Sequence, residues 1–406
     1  MTFHRLGWLF VLVPLASVHA ADEPEWLTKA RAIEAEPAPM VDIRSPDGGL
    51  TARVPAKLAG PITRDEDEYL MQFDVGPDAV VTCELVFDGF DTAGILRVAA
   101  DVTFEDVGKS LGKVEASTVE ALDAGAWGQY PYLAADWIYR VASPEGAQVG
   151  GVKQVSVDLH QHGLYCAVVS IGYQQTLRSI ARSLAETLKF DGAAPPPKYR
   201  EITTISIDKT KIGVAVSEVT VDADGDLRTE IRSSSLLPVG AGVVVAQESM
   251  LIEWTDPKGS LLNAAQVNVR NGESVVELKL NPVQDGAWHI VGTSKGKAFD
   301  NVVGSAAPTS SYALALKRRD AMAGKQPVGY EATDQVWTTF DPSRLLESRI
   351  RITERTPDGS YRAQEKIGDY TVDGVLDPST GWPSTASTPL GPKTLTATRI
   401  YTSGAL

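Results

Sequence analysis

Apolar residues recur along this chain in two rhythms. Over 164–171 they run almost unbroken, Leu164-Tyr165-Cys166-Ala167-Val168-Val169-Ser170-Ile171, as in a buried strand. Leu177, Ile180, Ala181, Leu184 and Leu188 then fall at three- and four-residue steps, while Arg178, Arg182, Glu186 and Lys189 lie largely off that stripe. This predicts an amphipathic helix. The pattern stops at Gly192-Ala193-Ala194-Pro195-Pro196-Pro197. Three consecutive prolines lack amide donors and favour an extended spacer, so neither a helix nor a central strand passes through them. The chain therefore divides into a first domain over 21–192, a proline-rich linker over 193–200 and a second domain over 201–406.

In the first domain Trp26, Leu27, Ala30 and Ile33 are spaced for a short helix. Strands follow at 50–54 after an Asp47-Gly48-Gly49 turn, at 68–75, and at 79–87, a run that carries Cys83 and ends at Asp88-Gly89. Ile95, Leu96, Ala99 and Val102 predict a helix over 92–104, although the Val and Thr content there also suits a strand. Strands at 114–122, 130–141 and 149–159 complete an α+β sandwich in which helices cover an antiparallel sheet. Beyond the prolines, Asp224-Gly225, Pro257-Lys258-Gly259, Asn271-Gly272 and Asp285-Gly286 separate strand-like runs, each a turn signal of an antiparallel meander. Alternation at Val267 and Val269, and at Val276, Leu278 and Leu280, predicts one apolar face. A helix over 310–322 interrupts the meander, and strands resume at 349–354, 361–367 and 394–401.

The first twenty residues follow the secretory pattern: His4 and Arg5, an apolar core over 6–16, and small residues at Val18 and Ala20. A signal peptide over 1–20 implies a periplasmic or secreted protein. No later stretch approaches the roughly 20 apolar residues that spanning a bilayer requires. A formal charge of −14 and a pI near 4.9 disfavour nucleic acid, whose backbone needs clustered cations. In an oxidising compartment Cys83 and Cys166 pair as one disulfide; two buried free thiols are the alternative.

Two resemblances emerge from this order. The cysteine strand, the long meander and the ending Gly163-Leu164-Tyr165-Cys166 to Gly172-Tyr173 with its helix resemble the PsbP-like fold over about 40–190. That resemblance implies a binding or assembly scaffold without an active site. The second domain, with Gly286-Ala287-Trp288-His289-Ile290-Val291-Gly292, Gly296-Lys297-Ala298-Phe299, a late Thr371-to-Asp377 run and the Asp377-Pro378-Ser379-Thr380-Gly381-Trp382 turn, resembles the half-barrel of LolA-like periplasmic lipoprotein carriers. It implies a concave, apolar sheet face for acyl chains with helices as a lid.

Catalytic signatures are sparse. Asp158, His160 and His162 share one face at strand spacing, so a carboxylate and two imidazoles could converge on a metal; a solvated polar face explains the same residues and is the better reading, because the sequence places no further ligand. Asp222, Asp224 and Asp226 resemble the start of a calcium loop, but Gly225 and Ser233 stand at the wrong positions, which makes a hairpin turn the better reading. The run Asp65-Glu66-Asp67-Glu68 reads as a solvated loop. There is no dinucleotide fingerprint or phosphate loop, and no cofactor is expected. Leu251, Trp254, Leu262, Leu278, Trp288, Phe299 and Trp337 are the candidate lining of an apolar ligand site. The expectation is thus a non-enzymatic, exported binding or carrier protein for a lipid or other apolar molecule. The alternatives are an envelope interaction protein and a hydrolase of unfamiliar type with Asp158, His160 or His162 in a deep pocket.

Overall fold

The structure, a computed structural model, describes residues 24–66, 68–77, 79–87, 91–143, 146–160, 162–190, 196–240, 242–304, 306–339 and 341–406. The leader-like segment, the Asp88-Gly89 turn and the first part of the proline linker lie outside the described residues.

The first half comprises α1 (Glu25–Arg31), β1 (Val41–Arg44), β2 (Leu50–Val54), β3 (Lys57–Leu58), β4 (Thr63–Asp65), β5 (Glu68–Gly76), β6 (Ala79–Val86), α2 (Thr92–Leu111), β7 (Lys113–Trp127), β8 (Tyr130–Ser143), β9 (Gly146–Leu159), β10 (His162–Val168), α3 (Gln174–Thr187) and β11 (Lys189–Phe190). Strands β3 to β10 form one antiparallel sheet in the order β3-β5-β6-β10-β9-β8-β7, with β4 on β5; β1, β2 and β11 form a second, small sheet. Alternation along β8 and β9 gives the larger sheet two buried faces. Val155, Val157 and the α3 residues Leu177, Ile180 and Leu184 pack on one side, and Trp137, Tyr139 and the α2 residues Leu96, Ala100 and Phe104 on the other. Cys83 and Cys166 lie directly opposite each other on β6 and β10, are fully buried, and are joined by a disulfide. Of the acidic run, Asp65 of β4 faces Glu68 of β5, and Asp67 lies outside the described residues.

The second half supplies β12 (Tyr199–Ile207), β13 (Thr210–Val221), β14 (Leu227–Gly240), β15 (Val243–Thr255), β16 (Leu261–Arg270), β17 (Glu273–Pro282), β18 (Trp288–Ser294), β19 (Lys297–Val303), α4 (Ser311–Ala323), β20 (Glu331–Val336), β21 (Leu346–Arg355), β22 (Tyr361–Ile367), β23 (Tyr370–Leu376), β24 (Pro383–Leu390) and β25 (Lys393–Gly404). All fourteen strands join one antiparallel sheet in the order β19-β18-β17-β16-β15-β14-β13-β12-β25-β24-β23-β22-β21-β20. The first and last strands of this half pair with each other at its centre, and β19 and β20 are its edges. The Asp222 turn joins β13 to β14, its carboxylate accepting from the amides of Asp224 and Asp226, each at 3.0 Å.

This sheet must curl. Strands stack about 4.8 Å apart, so β18 and the end of β20 would lie more than about 50 Å apart in a flat sheet. Yet Trp288 and Ile290 of β18 share one cluster with Trp337, the residue after β20. Helix α4 crosses the concave side and touches both arms: Tyr312 and Ala315 meet Tyr199, Val219, Leu227 and Trp382, while Met322 meets Ile350, Ile352 and Tyr361. Ser310 caps the helix by accepting from the Ala313 amide at 3.1 Å.

The two halves share a core. Val214, Leu236, Val244 and Ala246, on the convex face of the curled sheet, pack with α2 and with Trp137 and Tyr139 of the first sheet. The molecule is thus layered: small sheet with α3, first sheet, α2, curled sheet, α4. Among the described residues it is mostly antiparallel sheet with four α-helices.

Candidate functional site

Strand register decides what faces the concave side. Leu251 of β15 lies opposite Gln266 of β16, and Gln266 opposite Leu278 of β17, so these three side chains form one inward row. Leu278 faces Gly292, which in turn faces Phe299. The neighbouring row carries Glu253, Ala264, Leu280 and Ile290. Together with Trp288 and Val276 these apolar residues form a buried patch at one end of the sheet.

Its cover is the loop between β20 and β21. Val336 pairs with Leu346, and between them the chain folds over the inner face of β15 to β18. Trp337 and Leu345 pack there against the apolar patch, with Phe299 and Val303 of the opposite edge strand beside them. The Trp337 indole N–H donates to the Pro342 carbonyl at 2.7 Å, and the Asn268 amide donates to the Thr339 carbonyl at 3.3 Å. Side chains thus close this end of the sheet, while nearer α4 the Thr309 amide donates to the Gln335 carbonyl of β20 at 2.7 Å and Thr309 forms a β-bridge with Ser260.

Of the seven residues picked from sequence, the structure brings together Leu251, Leu278, Trp288, Phe299 and Trp337. Trp254 and Leu262 are corrections. Leu251 and Glu253 point inward on β15, so Trp254, one position further, points outward. At the register shift, Thr255 pairs with Leu261 and Trp254 with Asn263, which leaves Leu262 unpaired and 39% exposed. The single apolar face read from β16 and β17 also divides: Gln266, not Val267, faces Leu278, so Val267 and Val269 look toward the first half. Val276 and Leu280, read from their alternation as part of an apolar face but not as ligand lining, join the patch, as do Gln266, Ile290 and Leu345, which were not singled out.

The Asp158, His160, His162 constellation does not assemble. Strand β9 ends at Leu159, and His160 adopts φ 74°, so alternation fails after Asp158. His162 turns its Nδ1 to the Phe87 carbonyl between the rings of Phe87 and Phe190. Asp158 instead pairs with Arg232 of β14 at 3.3 Å. His160 Nδ1 accepts from Arg200 at 2.6 Å, and the same fully buried guanidinium pairs with Glu218. Burial, reinforced by the Arg200 charge, lowers the His160 pKa to about 4, which keeps the imidazole neutral and able to accept that bond. Among the described residues no group of three His, Cys, Asp or Glu is arranged to hold a metal.

Beside this network, a cavity of about 200 Å³ lies between the start of α2 and the convex face of β13 to β16. Asp91, Asp158, Arg232, Ser234 and Glu248 line it above a floor that includes Val214, Val216 and Met250. Glu248 accepts from the Ala93 amide at 2.6 Å and from the Ser234 hydroxyl; burial pushes its pKa well above the usual carboxylate range. On the opposite face of the same strand Glu253 accepts from the Ser311 amide at 2.8 Å, and burial raises its pKa to about 7.

No model of a known protein family matches this chain, and no curated protein does. Among solved structures it is similar to a beta-barrel-like protein of a domain of unknown function, DUF1849, from Brucella abortus. The identity is 14%, the TM-score 0.40, and the match covers 52% of this chain and 98% of that chain.

Proposed function

We propose that this protein is an exported binding or carrier protein that holds a lipid or other apolar group on the concave face of its second half. The observation that carries this reading is the apolar patch of Leu251, Leu278, Trp288 and Phe299, which is covered by the side chains of a hairpin loop and not by a paired strand. Rotation of Trp337 and Leu345 would open about one acyl chain's breadth of apolar surface without breaking a strand pair. The lipoprotein-carrier half-barrel that the strand rhythm resembles would work this way, with α4 bracing the two arms. Among the described residues no helix is long and apolar enough to cross a membrane. The leader-like N-terminus and the buried disulfide both suit export into an oxidising compartment.

The test is gentle purification of the mature protein from its native envelope, then native mass spectrometry and organic extraction. A stoichiometric acyl species supports the reading. An apo mass with no uptake of added lipid, in the wild type and in Trp337→Ala alike, sinks it and leaves partner binding as the function to pursue. Trp337→Ala should take up lipid more readily while losing about 3 kcal/mol of stability, the usual cost of truncating a buried Trp.

A further inference from the structure

Gln266 is out of character with its surroundings. It sits in the inward row between Leu251 and Leu278 and is 1% exposed. Its Nε2 donates to Asn268 Oδ1 at 3.3 Å, and Asn268 Nδ2 donates to the Thr339 carbonyl. A carbonyl only accepts, so Thr339 fixes which end of the Asn268 amide faces it, and Asn268 Oδ1 in turn fixes the Gln266 amide. The relay therefore has one sense. At its far end Gln266 Oε1, a buried acceptor, has no hydrogen-bond partner among the described residues. Thr338 Oγ1, in the covering loop, is also buried without one. Leaving such an atom unmatched is costly, and a purely apolar side chain would avoid that cost.

We propose that the ligand of this patch is an apolar chain bearing a hydrogen-bond donor, an amide N–H or a hydroxyl, and that Gln266 Oε1 receives that donor. The inference rests on the carrier reading. Trp337 and Leu345, the groups that must yield, contribute side chains, whereas the Thr339 group that orients the relay is backbone. The acceptor thus keeps its direction when the cover opens. A bare hydrocarbon or an ester would enter the same patch but leave Gln266 Oε1 unmatched.

The experiment compares dodecanamide, dodecanol and methyl dodecanoate by tryptophan fluorescence titration of the full mature chain. The wild type should bind the amide and the alcohol about tenfold more tightly than the ester, the worth of one buried hydrogen bond. Gln266→Met, close in volume, should bring the three probes within about twofold of one another by weakening only the two donors. The double variant Gln266→Met with Asn268→Leu removes the relay whole and should behave alike; it guards against a fold defect from the orphaned Asn268. Equal binding of all three probes by the wild type overturns the inference and leaves the carrier reading standing. Discrimination that persists in both variants also overturns it. Failure of every probe to bind overturns the carrier reading and the inference together.

Discussion

Buried Glu253 and half-buried His160 give this protein opposing responses to pH. Glu253 has a pKa raised to about 7, chiefly by burial, from an ordinary carboxylate value of 4.5. A raised carboxyl pKa favours the folded state below the unfolded value, and that advantage is lost as pH rises through about 7. His160 acts in the other direction. Its depressed pKa supports the folded state above about 6.5, and the support is lost as pH falls toward 4. Each shift corresponds to at most about 3 kcal/mol, and between about pH 4.5 and 6.5 the two slopes partly cancel. Single variants should therefore expose slopes that the wild type hides. Glu253→Gln retains an acceptor for Ser311 and should gain relative stability from pH 6 to 8 in thermal melts. His160→Asn should leave the Glu253 slope uncancelled, so its stability relative to the wild type should rise as pH falls from 6.5 to 5. If both variants track the wild type at every pH, neither group titrates as its burial implies. Neither role was legible in the sequence: nothing there singled out Glu253, and His160 entered only with Asp158 and His162 as a candidate metal face, because alternation alone does not report what covers a face.

At the scale of elements, the three longest helices are each fastened by a distant glutamate. Glu34 accepts from the first-turn amides of Gln175 and Thr176 in α3, at 2.9 and 2.8 Å, Glu248 from Ala93 in α2, and Glu253 from Ser311 in α4. A carboxyl oxygen there satisfies orphan amide donors of the first turn. Local capping rules identify Ser310 and Asp91 but are blind to partners 58 to 155 residues away. Glu34→Ala should cost about 1–2 kcal/mol in urea unfolding. Gly381 is a second fastening. It has φ 77°, and an added Cβ would lie 1.9 Å from the Ala315 carbonyl of α4. Gly381→Ala should cost about 2–3 kcal/mol or displace the helix. Gly359→Ala, at φ 90° with open space around it, should cost only about 1–2 kcal/mol. Equal effects in the two would show that α4 does not press on that turn. The helices themselves were readable, since α2, α3 and α4 begin at or near the residues where periodicity placed them. Strand phase on β16 was not, because the first half covers the outward Val267 and Val269 and the curled sheet is apolar on both sides there.

For the whole molecule, the composition change at the prolines marks where one sheet system ends and the next begins, but the shared core is invisible in linear order. Ala93, Leu96 and Ala100 of α2 interlock with Val214, Leu236 and Ala246 from beyond the linker. The Val119 amide also donates to the Gly242 carbonyl at 2.9 Å. The halves should therefore unfold together, with circular dichroism and tryptophan fluorescence giving coincident denaturation curves. Ala246→Arg, which places a charge in that core, should split them into two transitions; a single shifted transition would show that the contact does not couple them. The pairing of β12 with β25 has a further outcome for biogenesis. These strands are the first and last of the second half to leave the ribosome or the export channel, and their long sequence separation makes their meeting slow. Until it happens the emerging chain holds two unfinished arms, each ending in an unprotected strand edge. A chain stalled before residue 393 would present those edges to proteases and neighbouring chains, so the join at the centre doubles as a check that synthesis has run through β25.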